Sequence, residues 1–266
     1  MTQKHLKTYT ENIDQIQSGY ISKVLSNNCK GVKTRIDVPL YQRPYTWKKD
    51  NINVLFEDLI SHLKEDPDNA YYLGQLVFIK KAEKIEVLDG QQRLTTLYIF
   101  VNALINSMEK LKRDIKEHSG FDNQKINDWD NQVDAEIGLL YKHVVKDFGE
   151  KDFDGNPLPT EIKFLPYYKD DKEHFNYLFK KNSIIDFEDV RDTNVIHKRH
   201  KIIAAALTLY ENINNHCSNE VRDKGDNDLF YKQMFVELKC IKNILIGDFI
   251  EVSYTVLEEG IEFTIF

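Results

Sequence analysis

Cysteine is scarce in this sequence: Cys29, Cys217 and Cys240 are its only three, odd in number and without a CxxC pair. That excludes a disulfide framework and a zinc site built from thiolates, and predicts buried, reduced thiols. Long hydrophobic runs are missing as well. No stretch reaches the roughly 18 consecutive apolar residues of a membrane span, and the opening MTQKHLKTYTENIDQ is polar where a secretory leader is apolar. The expectation is a cytoplasmic chain without a membrane partner. Positive charge is short too, with 36 Lys and Arg against 43 Asp and Glu for a net charge of −7. No global field therefore draws the chain onto nucleic acid, and any such contact needs a local patch. The candidates are Lys48/Lys49, Lys80/Lys81 and the run His197 to Lys201, although short basic runs are most often solvated helix faces. Catalytic signatures are equally sparse. There is no His-Glu-x-x-His zinc helix, no Gly-x-Ser-x-Gly elbow and no Walker A turn.

What the chain does have is apolar periodicity. With 41% hydrophobic residues in 266, it can build one large core or two modest ones. Ile13, Ile16, Tyr20 and Val24 recur at helical spacing and predict a first helix ending near Asn27-Asn28. Arg35 to Val38 predicts a short strand stopped by Pro39. From Asp50, a plausible N-cap, the positions Ile52, Leu55, Phe56, Leu59, Ile60 and Leu63 predict an amphipathic helix that stops at Asp66-Pro67. Tyr72 to Ile79 and Lys84 to Leu88 read as a hairpin, and Leu94 to Met108 as a long helix. Beyond about residue 113 the composition shifts, with polar stretches such as Lys116 to Asp134 and a Pro/Gly loop from Phe153 to Pro159. Helices are predicted near 132–147, 170–181, 193–216 and 227–243, then a strand from Phe249 to Val256. The fold class expected is α/β (α+β), divided into residues 1–113 with a small mixed sheet and a mainly helical part, 114–266.

Two stretches carry candidate chemistry. In EVLDGQQRLTTLY a strand runs through Asp89 and Gly90 straight into a helix N-terminus, where unpaired backbone N–H groups and the helix dipole favour an anion. Gly90 permits close backbone approach, Arg93 offers a planar fork suited to phosphate oxygens, and Gln91, Gln92, Thr95 and Thr96 add donors. Asp89 would repel a phosphate unless it holds a divalent cation or orients a water, and so points toward Mg²⁺ and hydrolysis. Against this, Asp-Gly is a common turn pair and Gln-Gln-Arg an ordinary solvated first turn. The second stretch, VPLYQRPYTW, sets Tyr41, Tyr45 and Trp47 around Gln42, Arg43 and two prolines. It reads equally well as a stiff loop that stacks a base while Arg43 reaches a phosphate, or as a loop whose aromatics cap the core.

Taken together, VPLYQRPYTWKKDNINVLFEDLI, YYLGQLVFIK and IEVLDGQQRLTTLYIF closely resemble the N-terminal domain family of GmrSD-type, modification-dependent restriction endonucleases, similar in fold to ParB and sulfiredoxin. The resemblance covers residues 36 to 100. It implies binding and hydrolysis of a nucleoside triphosphate with Mg²⁺, used to control attack on modified phage DNA. The family signatures fall on Asp89, Gly90, Gln91, Gln92 and Arg93, and on Tyr41, Gln42, Arg43, Pro44 and Tyr45. Implied partners are the nucleotide, DNA through a local site, and a nuclease domain or separate nuclease; self-association stays open. Family chains usually continue beyond an Ile-Phe pair, whereas this one stops at Ile265-Phe266, an apolar end that suggests a fragment. The alternative reading is a non-catalytic module that recognises modified DNA through the Tyr41 to Trp47 loop.

Overall fold

The computed structural model describes residues 16–28, 34–82, 84–146, 161–179, 200–221 and 227–258. The expected features at Cys29, Phe153–Pro159, His197–Arg199 and Ile261–Phe266 lie outside these residues.

The first expected helix is a correction. Gln17–Tyr20 forms strand β1, and only Ile21–Leu25 is helical, α1. The apolar spacing before Tyr20 is not used for a helix face, since Ile16 is 69% exposed. Backbone pairing wins instead: β1 runs antiparallel along β8 (Ile250–Glu258), with Gln17 opposite Tyr254. β2 is Ile36–Asp37. Helix α2 (Lys49–Glu65) buries Ile52, Leu55, Phe56, Leu59 and Ile60 as its spacing requires. Its N-cap is Lys48 rather than Asp50, because Asn51 Oδ1 accepts the Lys48 N–H at 3.0 Å and Asp50 falls within the first turn.

The hairpin is β3 (Tyr71–Lys80) and β4 (Ile85–Asp89), antiparallel, and helix α3 (Gln91–His118) follows one residue later. The polar stretch from Lys116 proves helical nearly throughout. Asp122 caps α4 (Asn123–Val144) by accepting the Lys125 N–H at 2.8 Å, and Trp129, Val133, Ile137 and Leu140 bury one face. Short strands β5 (Val145–Lys146), β6 (Glu161–Ile162) and β7 (Phe164–Leu165) lead to helices α5 (Lys169–Phe179), α6 (Lys201–Glu220) and α7 (Asn227–Ile246). In the basic run, His200 is the N-cap of α6 and Lys201 its first residue.

Six strands form one mixed sheet in the order β1-β8-β3-β4-β2-β7, so strands from late in the chain stand beside the hairpin. β8 runs parallel to β3, and β7 parallel to β2. Residue 113, the expected division, lies within α3, and one core cluster extends from Ile21 to Tyr254 across it. At its centre the Tyr98 ring stacks on Phe164 at 5.1 Å, Phe175 meets Phe164 edge-on at 5.6 Å, and the Tyr98 hydroxyl donates to Leu25 O at 3.0 Å. Burying Phe164 and Phe175 side chains of this size contributes roughly 1.5–3 kcal/mol each. Helix α3 is therefore anchored where it leaves the sheet. Cys217 is buried as expected, while Cys240 is only partly covered.

Candidate functional site

Strand β4 ends on the exposed carboxylate of Asp89, and the chain turns at Gly90, whose φ of 86° and ψ of 7° lie in the left-handed region. A side chain there would be strained in φ and would run into Leu76 Cδ2. The first helical bond is Leu94 N–H to Gly90 O at 3.0 Å. The N–H groups of Gln91, Gln92 and Arg93 thus precede the helical ladder and face outward from the junction.

The buried amides of Gln91 and Gln92 bind the neighbouring loop. Gln91 Nε2 donates to Arg43 O at 2.8 Å and Gln92 Nε2 to Pro44 O at 3.1 Å, while Gln92 Oε1 accepts the Thr46 N–H at 2.8 Å. Gln42 returns the contact, donating from Nε2 to Leu88 O at 2.7 Å. Behind the loop, Tyr45 is buried. The Thr95 and Thr96 hydroxyls donate to the carbonyls of Gln91 and Gln92 at 2.7 and 2.8 Å. Thr96 Oγ1 must then accept from the Tyr45 hydroxyl, 2.8 Å away. Burial pushes the Tyr45 phenol well above its ordinary value, so it stays protonated as that bond requires.

A residue from the second half fixes the same loop. Asp171 on α5 is 5% exposed; its Oδ2 accepts the Tyr45 N–H at 2.8 Å and its Oδ1 lies 3.2 Å from His200 Nε2. His200 Nδ1 accepts the Ile202 N–H at 3.3 Å, which assigns the proton to Nε2 and makes that atom the donor to Asp171. The His200 ring stacks on His174 at 3.9 Å. Sequence reading missed Asp171 and His200, although one signal was present. Asp171 shares a helical face with Phe175 and Leu178, and a carboxylate on an apolar face requires a partner.

The groups left facing solvent enclose a cleft of about 220 Å³. Arg43, Trp47, Asp89 and Arg93 line it, with Gln42 and the Gly90-Gln91-Gln92 turn as its floor. Arg93 is held by two carbonyls, Nη1 donating to Leu73 O and Nη2 to Gln75 O, both at 3.0 Å. It straddles Gly74, whose φ is 117° and where the β3–β8 register shifts; a Cβ there would collide with Arg93 Nη1. Arg43 is exposed and its guanidinium makes no hydrogen bond among the described residues. Of the expected site residues, Gln42, Arg43, Asp89, Gly90, Gln91, Gln92 and Arg93 meet at this cleft. Tyr45, Thr95 and Thr96 are buried behind it, and Tyr41, 61% exposed, lines a different cleft.

A loop clamped by two glutamines onto a strand-to-helix junction unites the two motifs that carry the family resemblance. The family model described as GmrSD restriction endonuclease, N-terminal domain, matches residues 21–232. The chain belongs to that family. The GmrSD match takes in the loop, the hairpin, the junction and the two helices that supply Asp171 and His200, while β1 and β8 lie outside it. No match is found among curated proteins. In this GmrSD domain no described helix is long and apolar enough to cross a membrane. No group of three or more His, Cys, Asp and Glu side chains among the described residues is placed to hold a metal ion.

Proposed function

We propose that this component of a GmrSD-type restriction system binds and hydrolyses a nucleoside triphosphate at the junction cleft, and so regulates a nuclease domain or nuclease partner. The observation that supports the reading best is the convergence of a left-handed glycine, an open helix N-terminus, two arginines and one carboxylate on a single cleft. At about 220 Å³ the cleft is smaller than the roughly 300–1,000 Å³ of sites that enclose a drug-sized ligand, so it suits phosphates with the base outside it. Trp47 at the rim offers the base a flat face. Arg93, already oriented by Leu73 and Gln75, has donors remaining for a phosphate oxygen, and the exposed Arg43 can close over the opposite side.

Mg²⁺ fits this donor set in one way. A single carboxylate cannot cage a cation, but Mg²⁺ is commonly held by one or two carboxylates with the substrate's own phosphates, and Asp89 supplies one. The ion would neutralise phosphate charge; Asp89 otherwise orients the attacking water, and the helix N-terminus and Arg93 stabilise the charge that develops. Phosphate release and equilibrium nucleotide binding by wild type, Asp89→Ala and Arg93→Ala test the site. Loss of one stabilising group is expected to lower kcat about 10²–10³-fold. Unchanged phosphate release in both variants would sink the assignment. DNA binding by a protein that never turns over nucleotide would favour the non-catalytic alternative, a module reading modified DNA.

A further inference from the structure

The two walls of the junction cleft are fixed by different parts of the chain. On one side Asp89 ends β4 and Arg93 is held by Leu73 O and Gln75 O, so this wall belongs to the hairpin and the start of α3. On the other stand Gln42, Arg43 and Trp47, on a loop with no helix or strand of its own. Neutral hydrogen bonds tie Gln42, Arg43, Pro44 and Thr46 to the junction. Of the bonds that hold residues 42 to 46 to other elements, only that from the Tyr45 N–H to Asp171 Oδ2 has a charged partner, and such bonds are roughly twice as strong as neutral ones. The strongest single anchor of the loop therefore lies on α5, in the helical half.

Asp171 must itself be held. A carboxylate only 5% exposed is costly to bury unless its charge is met. Among the described residues its polar partners are the Tyr45 N–H on Oδ2 and His200 Nε2, 3.2 Å from Oδ1. Three contacts orient the His200 ring: Nδ1 accepts the Ile202 N–H at the start of α6, the face stacks on His174 with the two planes 5° apart, and Nε2 donates to Asp171. Without that donor, Oδ1 would be left unmet in the interior. The carboxylate would then turn toward water and withdraw Oδ2 from the Tyr45 N–H.

From this chain of contacts we propose that His200 is a positioning residue of the junction site: through Asp171 it sets the place of the Pro39–Trp47 loop, and with it the affinity of the cleft for nucleotide, while the hairpin wall sets turnover. This role rests on the nucleotide reading of the same cleft. Arg43 and Trp47 meet phosphate and base alike before and during the reaction, whereas Asp89, Arg93 and the helix N-terminus act on the charge that develops at the transferred phosphate. A displaced loop removes binding shared by ground and transition state. It therefore raises KM and leaves kcat in place.

Two substitutions separate the ring nitrogens. His200→Asn keeps an acceptor for the Ile202 N–H, as a favoured N-cap residue, but is too short to reach Asp171; His200→Gln reaches Asp171 with its amide N–H and gives up the cap. Hydrolysis of ATP and of GTP with Mg²⁺ by the full chain is expected to show KM raised about tenfold in His200→Asn, as for loss of one bond to a charged group, with kcat unchanged. His200→Gln recovers most of the affinity and instead lowers the melting temperature. An unchanged KM in His200→Asn, a fall in kcat in its place, or an equal rise in KM in both variants, which traces the effect to the α6 cap, overturns the proposal. Should His200→Asn not fold, Asp171→Asn reads the same contact from its other end, with KM again raised and a wild-type KM overturning the proposal. Acrylamide quenching of Trp47 without nucleotide, in a Trp129→Phe background where it is the one tryptophan left, is expected to rise in His200→Asn but not in His200→Gln. That rise in a protein that neither binds nor hydrolyses ATP or GTP supports the anchor and overturns the nucleotide reading; unchanged quenching in a protein that binds them overturns the anchor alone.

Discussion

Arg93 reaches the junction cleft across a residue that has no side chain. Its Nη1 occupies the space a Cβ on Gly74 would take, and two carbonyls flanking that glycine fix the guanidinium plane. Gly74→Ala is therefore expected to displace Arg93 without touching it, besides straining a φ of 117° by about 1–3 kcal/mol. Its signature is a modest fall in melting temperature with nucleotide turnover reduced as in Arg93→Ala. Full turnover in a folded Gly74→Ala protein would mean that Arg93 needs no fixed orientation. Sequence reading found Arg93 and Gly90 but assigned no role to Gly74, because its partner stands on the helix beyond the hairpin, outside any local pattern. The roles of Gln91 and Gln92 were hidden for a related reason. A glutamine amide suits a backbone carbonyl as well as a phosphate oxygen, and only the position of residues 43, 44 and 46 shows which one it meets here.

At the scale of elements, the loop from Pro39 to Trp47 is a wall between two clefts, with Tyr41 on one side and Gln42, Arg43 and Trp47 on the junction side. Such a wall must be held from behind, and α5 does this through Asp171. Replacing Asp171 with Ala leaves the buried Tyr45 N–H without an acceptor, a loss of about 1–3 kcal/mol. Asp171→Asn keeps an acceptor for that N–H but presents an amide to His200, and recovers only part. We expect a lower melting temperature and weaker nucleotide binding in Asp171→Ala, with partial rescue by Asn. Equal nucleotide affinity in all three proteins would show that α5 supports the fold but not the site. The hairpin, α2 and α3 were legible from periodicity. The sheet order was not: β7 and β8 join β2 and β3 by backbone pairing across long sequence separations, which local patterns do not encode.

For the whole molecule, α3 is the shared member, packed against α4, α5, α6 and α7 while its first turn forms the site. Disturbance in the helical half should therefore reach the sheet, and acid provides one. Burial lowers the His216 imidazole below its ordinary 6.5, against the opposing pull of Glu220 and Glu237. His143 on α4 is also lowered by burial, with the Leu139 carbonyl opposing and Lys163 adding to the shift. The unfolded chain takes up these protons at a higher pH than the folded one. Their contribution is thus complete above about 6.5 and declines as pH falls through the window below it. Melting temperature should drop across that window, and His216→Gln should flatten the drop. The two tryptophans report the two halves, Trp47 beside the junction and Trp129 on α4. In Trp47→Phe and Trp129→Phe proteins the remaining fluorophore should report the same midpoint at each pH, as a shared core requires. Midpoints that separate on acidification, with Trp129 melting first, would instead place a cooperative boundary within α3.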